Sequence, residues 1–270
     1  MNIWLLKRIK LSVQWKRWGI VFVILLMLWV WQQLPDEKLH VYFCDVGQGD
    51  GALIVLGSFQ AVIDTGAYVD TMTSCLSRGM PFWDRKIEIV FLSHSDKDHV
   101  GALQGLRQRY SIGKVIDSPK SGDLIRYGLL SFDVVKGSEP VVEKVDVGGS
   151  ISNERSVVMR VAYNKFSAMF AGDMDLGSEL ALVSKGVLRK SQVLKVSHHG
   201  SKYGSSQVFL NMIMPKIAVI SVGAKNNYGH PNGDTLLRLD VVGSKVLRTD
   251  LIGTVHLVTD GDGMQVLVSR

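Results

Sequence analysis

The hydrophobic residues of this 270-residue chain follow two different patterns. The first is a single uncharged run near the N-terminus, WGIVFVILLMLWVW at residues 18–31. The second begins after Pro35 and consists of short apolar runs, rich in β-branched residues and separated by glycine, as is typical of β-strands. The sequence therefore predicts one N-terminal helix followed by a domain with many short strands.

Apolar runs that predict strands are spread over the whole of this domain. They are HVYFCDV, ALIVL, QAVID and IEIVFLS in its first part, SVVMRVAY, FSAMFAG, QVLKVS and IAVISVG in its middle, and KVLRTD, IGTVHLV and QVLVSR in its last part. Between them, helices are expected around residues 100–109, 176–185, 205–213 and 233–241. Because strands and helices alternate without a repeat or a second linker, we expect one α/β domain over residues 36–270, with sheets faced by helices.

The uncharged run is the expected membrane anchor. It extends to Pro35 and has about 17 residues, near the lower limit for a helix that crosses ~30 Å of hydrocarbon. Cations lie only on its N-terminal side, so the positive-inside rule keeps the N-terminus in the cytoplasm. We expect a basic cytoplasmic segment over residues 1–17, a single-pass transmembrane helix over 18–35 and an extracytoplasmic domain at the cell membrane. A cleaved signal peptide and a buried helix are the alternatives, but no small-x-small cleavage pattern follows the run.

The net charge of +6 belongs to the N-terminal segment and not to the domain. Five cations precede the first acidic residue, Asp36: Lys7, Arg8, Lys10, Lys16 and Arg17. Without them the chain has 26 basic and 25 acidic residues. A nearly neutral domain has no global field that attracts polyanions, so contact with DNA would need a local basic patch.

The two cysteines, Cys44 and Cys75, are too few and too differently placed to predict a disulfide framework or a thiolate zinc site. Cys44 lies in a predicted strand, where a compact apolar side chain packs well. We therefore expect both cysteines to be ordinary small residues, buried or half-buried.

The strongest chemical signal is SHSDKDHVGA at residues 93–102, directly after a predicted strand. Four potential metal ligands lie within six positions of this turn: His94, Asp96, Asp98 and His99. Carboxylates clustered beside imidazoles are costly unless a cation neutralises them, and mixed oxygen and nitrogen donors suit Zn²⁺ or Mn²⁺. The alternative is a polar surface loop in which Asp98 caps a helix, but that alternative does not explain the two histidines.

This turn resembles a known family signature. HSDKDH is similar to the HxHxDH motif of the metallo-β-lactamase superfamily, with Asp96 in the second ligand position, and this variant resembles the extracytoplasmic hydrolase domain of the ComEC competence proteins. Further motifs similar to that group follow the same order: DVGQGD at 45–50, IDTG at 63–66, AGD at 171–173, KVSHHGS at 195–201, SVGAKNNYGHP at 221–231 and RTD at 248–250. The similarity covers roughly residues 40–258 and implies an αββα sandwich.

The resemblance implies two divalent metal ions, Zn²⁺ or Mn²⁺. Their ligands would be His94 and Asp96 for one ion, Asp98, His99 and His199 for the other, and Asp173 between them. Sequence alone leaves open whether His198 exchanges roles with His199; otherwise His198 would lie near the leaving group or a substrate phosphate. The implied catalytic residues are Asp98, His198 and His230.

Three further residues are expected to support the ligands by hydrogen bonds. Asp64 in IDTG matches the early aspartate of the superfamily, which orients the metal loop. Gln48 and Asp50 lie in DVGQGD, where glycines allow a tight turn, although an ordinary hairpin remains an alternative for Asp50. Four residues that flank the other motifs are candidate donors to a phosphate, although such lysines are more often solvated: Lys195, Lys202, Lys225 and Asn226.

The implied activity is metal-dependent hydrolysis. Two metal ions activate a water and stabilise the developing charge, and the resemblance favours a phosphodiester substrate, which includes DNA. No histidine lies between His99 and Asp173, so the third imidazole of the lactam-hydrolysing members is missing and Mn²⁺ becomes plausible. One apolar segment cannot form a DNA channel, so we expect a membrane-bound hydrolase beside a separate channel protein. The alternatives are a non-catalytic DNA- or channel-binding module and a hydrolase of another extracellular ester or phosphodiester.

Overall fold

The computed structural model describes residues 3–32, 34–138 and 155–268, and within the first helix it describes the side chains of residues 15–31. The chain divides into two compact units, Met1–Asp36 and Glu37–Arg270. Each unit is treated by itself below.

The first unit contains one helix, α1, which spans Ile3–Gln32. Its apolar side chains between Trp15 and Trp31 are exposed. In the part of the chain that the structure describes, no helix is long and apolar enough to cross a membrane. The transmembrane helix predicted over residues 18–35 is therefore not supported. Of the basic segment predicted over residues 1–17, the side chains of residues 1–14 lie outside the described part.

The described residues of the second unit form fourteen strands and seven helices. The strands are β1 Leu39–Phe43, β2 Gly51–Leu56, β3 Phe59–Thr65, β4 Lys86–Phe91, β5 Ser111–Ile116, β6 Leu124–Tyr127, β7 Leu130–Lys136, β8 Val158–Tyr163, β9 Phe166–Phe170, β10 Val193–Lys195, β11 Ile217–Ile220, β12 Lys245–Arg248, β13 Val255–Thr259 and β14 Met264–Val268. The helices are α2 Val69–Gly79, α3 Lys97–Val100, α4 Leu103–Arg109, α5 Leu176–Lys185, α6 Gln207–Ile213, α7 Gly233–Val241 and α8 Thr249–Ile252. A 3₁₀ turn spans Ser197–Gly200.

The strands form two seven-stranded sheets that pack face to face. The first sheet has the order β14-β13-β1-β2-β3-β4-β5, and the second has the order β12-β11-β10-β9-β8-β7-β6. In each sheet one end is antiparallel and the other is parallel: β3, β4 and β5 run parallel in the first sheet, as do β9, β10, β11 and β12 in the second. Since parallel strands carry crossover helices, both sheets need helices on their outer faces.

Burial along single strands shows how the layers arise. Every residue of β3 is buried. Ala61 and Ile63 point into the core between the sheets, where Phe43 and Phe132 also pack, whereas Val62 points to the opposite face beneath α2. On the outer face of the second sheet, α5, α6 and α7 contribute apolar residues to a third cluster. The result is four layers, helix–sheet–sheet–helix, and the predicted αββα sandwich is confirmed in this arrangement.

The two cysteines are paired, which was not predicted. Cys44 and Cys75 form a disulfide bond, with their Cα atoms 5.6 Å apart and a sequence separation of 31. Cys44 directly follows β1, and Cys75 lies on the buried side of α2, which packs on the same sheet. The predicted burial of both residues is observed. Their pairing was not predicted, because α2 was not among the predicted helices, so nothing in the sequence brought the two residues together.

Candidate metal centre

The candidate ligands lie on loops that follow strands in both sheets. The segment Ser93–His99 follows β4 of the first sheet, Asp173 follows β9 of the second, and His198 and His199 follow β10. These strands belong to the parallel parts of their sheets, so the loops after them meet at one edge of the sandwich. Residues far apart in sequence are thereby brought into one cluster.

The short helix α3 sets the spacing of the first ligands. Asp96 has extended backbone angles and precedes α3, and its carbonyl oxygen accepts hydrogen bonds from the amides of His99 and Val100, at 2.9 and 3.0 Å. This turn buries His99 completely and leaves the side chain of Asp98 35% exposed. Two neighbouring residues therefore face the interior and the open side of the same site.

Three histidines present the same nitrogen atom to the centre of the cluster. His99 Nδ1 lies 2.9 Å from Asp64 Oδ2, His199 Nδ1 lies 2.9 Å from the carbonyl oxygen of Ser221, and His94 Nδ1 lies 2.9 Å from Ser93 Oγ. Each of these acceptors can hold a proton on Nδ1, which leaves Nε2 as the nitrogen available to a metal ion. All three Nε2 atoms are buried without a hydrogen-bond partner among the described residues.

Carboxylate oxygens surround these Nε2 atoms. Asp173 Oδ1 is 3.3 Å from His99 Nε2, and Asp173 Oδ2 is 3.6 Å from His199 Nε2 and 4.0 Å from His94 Nε2. Asp98 Oδ2 is 3.3 Å from His199 Nε2. Asp173 therefore lies between the histidines and reaches both sides of the cluster with its two oxygens.

Asp96 completes the outer side of the cluster. Its Oδ2 atom lies 3.5 Å from His94 Nε2, and its side chain is partly exposed. The structure thus brings together all six side chains that the resemblance implied as ligands: His94, Asp96, Asp98, His99, Asp173 and His199.

Backbone strain is concentrated at this site. Asp64, His198 and His199 all adopt positive φ, at 56°, 49° and 53°. Non-glycine residues occupy this region at a cost of about 1 kcal/mol or more, and they persist where the surroundings hold them. For the two histidines, the conformation turns adjacent side chains apart, so that His199 is buried while the side chain of His198 remains 29% exposed.

The charges in the cluster shift its titration. Burial alone lowers the pKa of His199, but the carboxylates of Asp173 and Asp50 outweigh it and raise the pKa to about 9. The same competition, led by Asp173, raises the pKa of His99. Burial raises the pKa of Asp173, and the neighbouring His99 and His199 more than reverse that effect. A positively charged group is therefore favoured within this cluster of carboxylates and imidazoles.

The donor set fits a divalent metal. Oxygen and nitrogen donors without thiolates suit Zn²⁺ or Mn²⁺, and the unpartnered buried Nε2 atoms have the orientation that a metal ion requires. Two groups of side chains each have donor atoms within 4.8 Å of one another: His94, His99 and Asp173, and Asp98, His99 and His199. Other groups that include Asp50 or Asp64 are less suitable, because those carboxylates already contact Lys195 or hydrogen-bond to His99.

The predicted supporting residues link the loops to one another. Asp64 accepts hydrogen bonds from the amide and hydroxyl of Ser93, at 2.8 and 2.7 Å, in addition to its contact with His99. Gln48 accepts a hydrogen bond from the amide of Gly223 at 3.2 Å, which ties the 45–50 loop to the 221–231 loop. Asp50 is buried, and its Oδ1 atom lies 3.3 Å from His199 Nδ1.

His198 and His230 form the open side of the site. The two rings meet edge to face with centroids 5.7 Å apart, and His198 Nε2 lies 3.9 Å from Asp173 Oδ2. Burial lowers the pKa of both histidines, so both rings are neutral at neutral pH. The Nδ1 atom of His230 is buried without a partner among the described residues.

Two of the candidate phosphate donors have other roles. Lys195 is buried and pairs with Asp50, so it is not a solvated donor. Asn226 uses its whole amide group within its own loop: Nδ2 donates to the carbonyls of Gly223 and His230, and Oδ1 accepts from the amides of Tyr228 and His230. The flanking lysines Lys202 and Lys225 remain exposed.

Several residues that hold the ligand loops in place were not predicted from the sequence. Ser221 holds His199 through a backbone carbonyl, which no side-chain motif reveals. Thr249, the central residue of RTD, accepts a hydrogen bond from the amide of Val222 at 2.9 Å and so supports that strand end. Ser93 lies in the SHSD turn, and its hydroxyl directly before a ligand histidine was the sequence signal that could have identified it as a supporting residue.

Comparison with known proteins identifies this arrangement. The model of the family described as "Metallo-beta-lactamase superfamily" matches residues 44–224. This match covers about two thirds of the chain and includes the whole ligand cluster. The chain belongs to the metallo-beta-lactamase superfamily. Members of this superfamily are usually metal-dependent hydrolases, and the fold binds divalent metals.

Curated relatives confirm the resemblance to the ComEC-type proteins. The chain is 30% identical over 246 residues to "Competence protein ComA" of Neisseria gonorrhoeae, covering 84% of this chain and 35% of the relative. It is 26% identical over 260 residues to "ComE operon protein 3" of Bacillus subtilis (strain 168), covering 81% of this chain and 32% of the relative. The chain thus spans about a third of the length of these relatives.

Solved structures agree on the fold. The metallo-beta-lactamase fold protein YhfI from Bacillus subtilis superimposes with a TM-score of 0.53 at 12% identity, over 85% of this chain and 100% of that chain. CmlA, a diiron beta-hydroxylase from Streptomyces venezuelae, superimposes with a TM-score of 0.51 at 11% identity, over 87% of this chain and 55% of that chain. At such identities the likeness concerns the fold alone.

Proposed function

We propose that the chain is a dinuclear metal-dependent phosphodiesterase that acts on DNA during its uptake. The observation that carries the proposal is the set of three buried Nε2 atoms, each aimed by a hydrogen bond on its Nδ1 side and each facing a carboxylate. The names of the competence-protein relatives support a role in DNA uptake.

The chain's own residues would divide the work. His94 and Asp96 would hold one cation, Asp98, His99 and His199 would hold the other, and Asp173 would contribute between them. When bound, two divalent cations supply a lowered pKa for a water and positive charge opposite the developing negative charge. The protein supplies geometry, since each ligand is fixed by its own hydrogen bonds.

The open side of the site would handle the substrate. Asp98 is partly exposed, so a water can reach its carboxylate, which would accept a proton from that water. His198 and His230 are neutral imidazoles on the same side, and each can donate a hydrogen bond to a phosphate oxygen or to the leaving group. Lys202 and Lys225 would attract the phosphodiester backbone beyond them.

We further propose that the protein is membrane-associated and that the hydrolase unit works outside the cytoplasm, beside a separate channel protein. Two observations support this location. The described apolar side chains of α1 are exposed, and apolar side chains of this kind are suited to a lipid environment. The Cys44–Cys75 disulfide is of a kind that persists in oxidising compartments.

The test compares the full chain with an Asp98→Asn variant after removal of metal. Each is assayed with Mn²⁺ or Zn²⁺ on bis-p-nitrophenyl phosphate, single-stranded DNA and double-stranded DNA. We expect metal-dependent turnover that falls at least about 100-fold in Asp98→Asn, since this change removes a ligand and a proton acceptor together. An Asp262→Asn variant is the matched control, because Asp262 is exposed and its carboxylate pairs with the exposed Lys165.

Three outcomes would contradict the proposal in different ways. Metal binding without turnover would favour a DNA- or channel-binding module. Turnover of carboxylic esters in preference to phosphodiesters would favour a different hydrolase. Equal loss of activity in Asp98→Asn and Asp262→Asn would show that the cluster is not the catalytic site.

A further inference from the structure

A lysine side chain lies inside the metal centre. Lys195 is the last residue of β10, three positions before His198, and it is only 3% exposed. Its Nζ atom contacts Asp50 Oδ2, donates to the carbonyl oxygen of Gly172 at 3.3 Å and lies 4.0 Å from Asp173 Oδ1. A buried ammonium group is costly unless it is paired, so this position needs a reason.

The carboxylate that Lys195 contacts is a potential metal ligand. Asp50 lies with Asp173 and His199 in a group whose donor atoms are all within 4.8 Å of one another. One oxygen of Asp50 is taken by Lys195, whereas the other, Oδ1, is buried without a hydrogen-bond partner among the described residues. Lys195 therefore already pairs with one oxygen of this carboxylate and also lies 4.0 Å from Asp173 Oδ1.

The charge of the cluster gives Lys195 a second effect. Five carboxylates lie around the three histidines: Asp50, Asp64, Asp96, Asp98 and Asp173. The ammonium group pairs with Asp50, and its Nζ atom lies 4.0 Å from Asp173 Oδ1. A fixed positive charge at this distance opposes the binding of any further cation, because the interaction is poorly screened in the interior.

We propose that Lys195 is a built-in cation of the metal centre, which keeps Asp50 out of the ligand set and weakens the hold of the site on its metal ions. The proposal rests on the proposed metal centre and extends it to a positioning residue. Asp50 then acts through its place beside His199 Nδ1, and the metals remain exchangeable and open to substrate.

The test measures Mn²⁺ binding by the metal-stripped full chain, with no substrate present. Four variants are compared by titration calorimetry: Lys195→Met, Asp50→Asn, the double variant, and the control Lys165→Met, which removes an exposed lysine that pairs with an exposed aspartate. Changes in groups that support a metal site alter affinity by about 10- to 100-fold, and we expect effects of that size.

The two single variants are expected to change affinity in opposite directions. Lys195→Met removes the opposing charge and frees Asp50, so the dissociation constant for Mn²⁺ should fall at least about tenfold, and the Co²⁺ absorption spectrum should change as a new oxygen ligand enters. Asp50→Asn leaves the ammonium charge uncompensated, so the dissociation constant should rise by a similar factor. Lys165→Met should match the wild type.

The double variant keeps the test decisive if Lys195→Met does not fold. Asp50→Asn and the double variant differ only at position 195, and the double variant should bind Mn²⁺ at least about tenfold more tightly. Equal affinities of these two proteins, or weaker binding by Lys195→Met, would overturn the proposal and leave Lys195 a structural partner of Asp50. A wild type that binds no metal would overturn the metal centre itself, which is a separate failure.

Discussion

At the scale of residues, the assignment of the histidine ligands depends on single nitrogen atoms. A histidine in a loop can be a surface group, a core group or a ligand, and its position in the sequence does not distinguish these roles. The hydrogen bonds on Nδ1 do, because they fix which nitrogen keeps its lone pair. His94, His99 and His199 all pass this test, and each uses a different type of acceptor: a hydroxyl, a carboxylate and a backbone carbonyl.

A buried acid outside the metal centre gives a pH prediction. Glu179 in α5 is fully buried and accepts hydrogen bonds from the amides of Ser205 and Ser206. Burial, partly opposed by these bonds, raises its pKa from 4.5 to about 7. Its folded pKa exceeds its unfolded pKa, so the stability that it contributes is complete below pH 4.5 and is lost as the pH rises through 7.

The expected size of this loss is about 3 kcal/mol in the free energy of unfolding between pH 4.5 and 8. Urea unfolding of the wild type and of Glu179→Gln at a series of pH values measures it, because the variant lacks the titrating group. The difference in stability between the two proteins should move in favour of the variant as the pH rises. A difference that stays constant across this range would mean that Glu179 titrates at its ordinary pKa.

Elements with a clear repeating pattern could be predicted from the sequence, and those that depend on tertiary contacts could not. The helices α4, α5, α6 and α7 lie where they were expected, as do the strands formed by long β-branched runs. By contrast, α2 was missed, and so were β5, β6 and β7. In β5, SIGKVI, the adjacent Gly113 and Lys114 interrupt the apolar run, and α2 contains threonine and serine residues that favour turns.

The same division holds for the candidate site. Side chains in compact motifs could be placed by resemblance, so all six expected ligands meet in one cluster. Contacts made by backbone atoms or across the sandwich could not be predicted, because they depend on which loops meet. The carbonyl of Ser221 and the pairing of Lys195 with Asp50 are of this kind.

At the scale of elements, the close approach of a glycine-rich loop to α3 gives a testable prediction. The 45–50 loop passes so close to α3 that a Cβ atom on Gly49, with φ of 132°, would fall on the carbonyl oxygen of Asp98. Gly49→Ala should therefore displace Asp98 and lower Mn²⁺ affinity and turnover at least about tenfold. Gly47→Ala is the matched control, since Gly47 also has positive φ but has nothing within 4 Å of an added Cβ. Both variants carry a backbone cost of about 1 kcal/mol, so equal loss of metal affinity would show that the close approach is unimportant.

At the scale of the whole molecule, the two sheets share the task of building the site. The first sheet supplies the loop after β4 and the second supplies the loops after β9, β10 and β11, so the ligands depend on the packing between the sheets. The DVGQGD loop connects them, through Asp98 on one side and Gly223 on the other. Any change that loosens the start of this loop should therefore affect both stability and metal binding.

The Cys44–Cys75 disulfide lies at that start and provides the last prediction. It joins the end of β1, directly before the loop, to α2 on the outer face of the sheet. Closing a loop of this length restricts the unfolded chain and contributes about 3–4 kcal/mol in the chain-entropy model. The double variant Cys44→Ser/Cys75→Ser should lose stability of that size in urea unfolding and should bind Mn²⁺ more weakly. Reducing agent should destabilise the wild type by the same amount and leave the variant unchanged, because the reductant and the substitutions remove the same bond. The pairing would be refuted by a wild type whose stability does not change with reductant and which contains two free thiols by mass spectrometry.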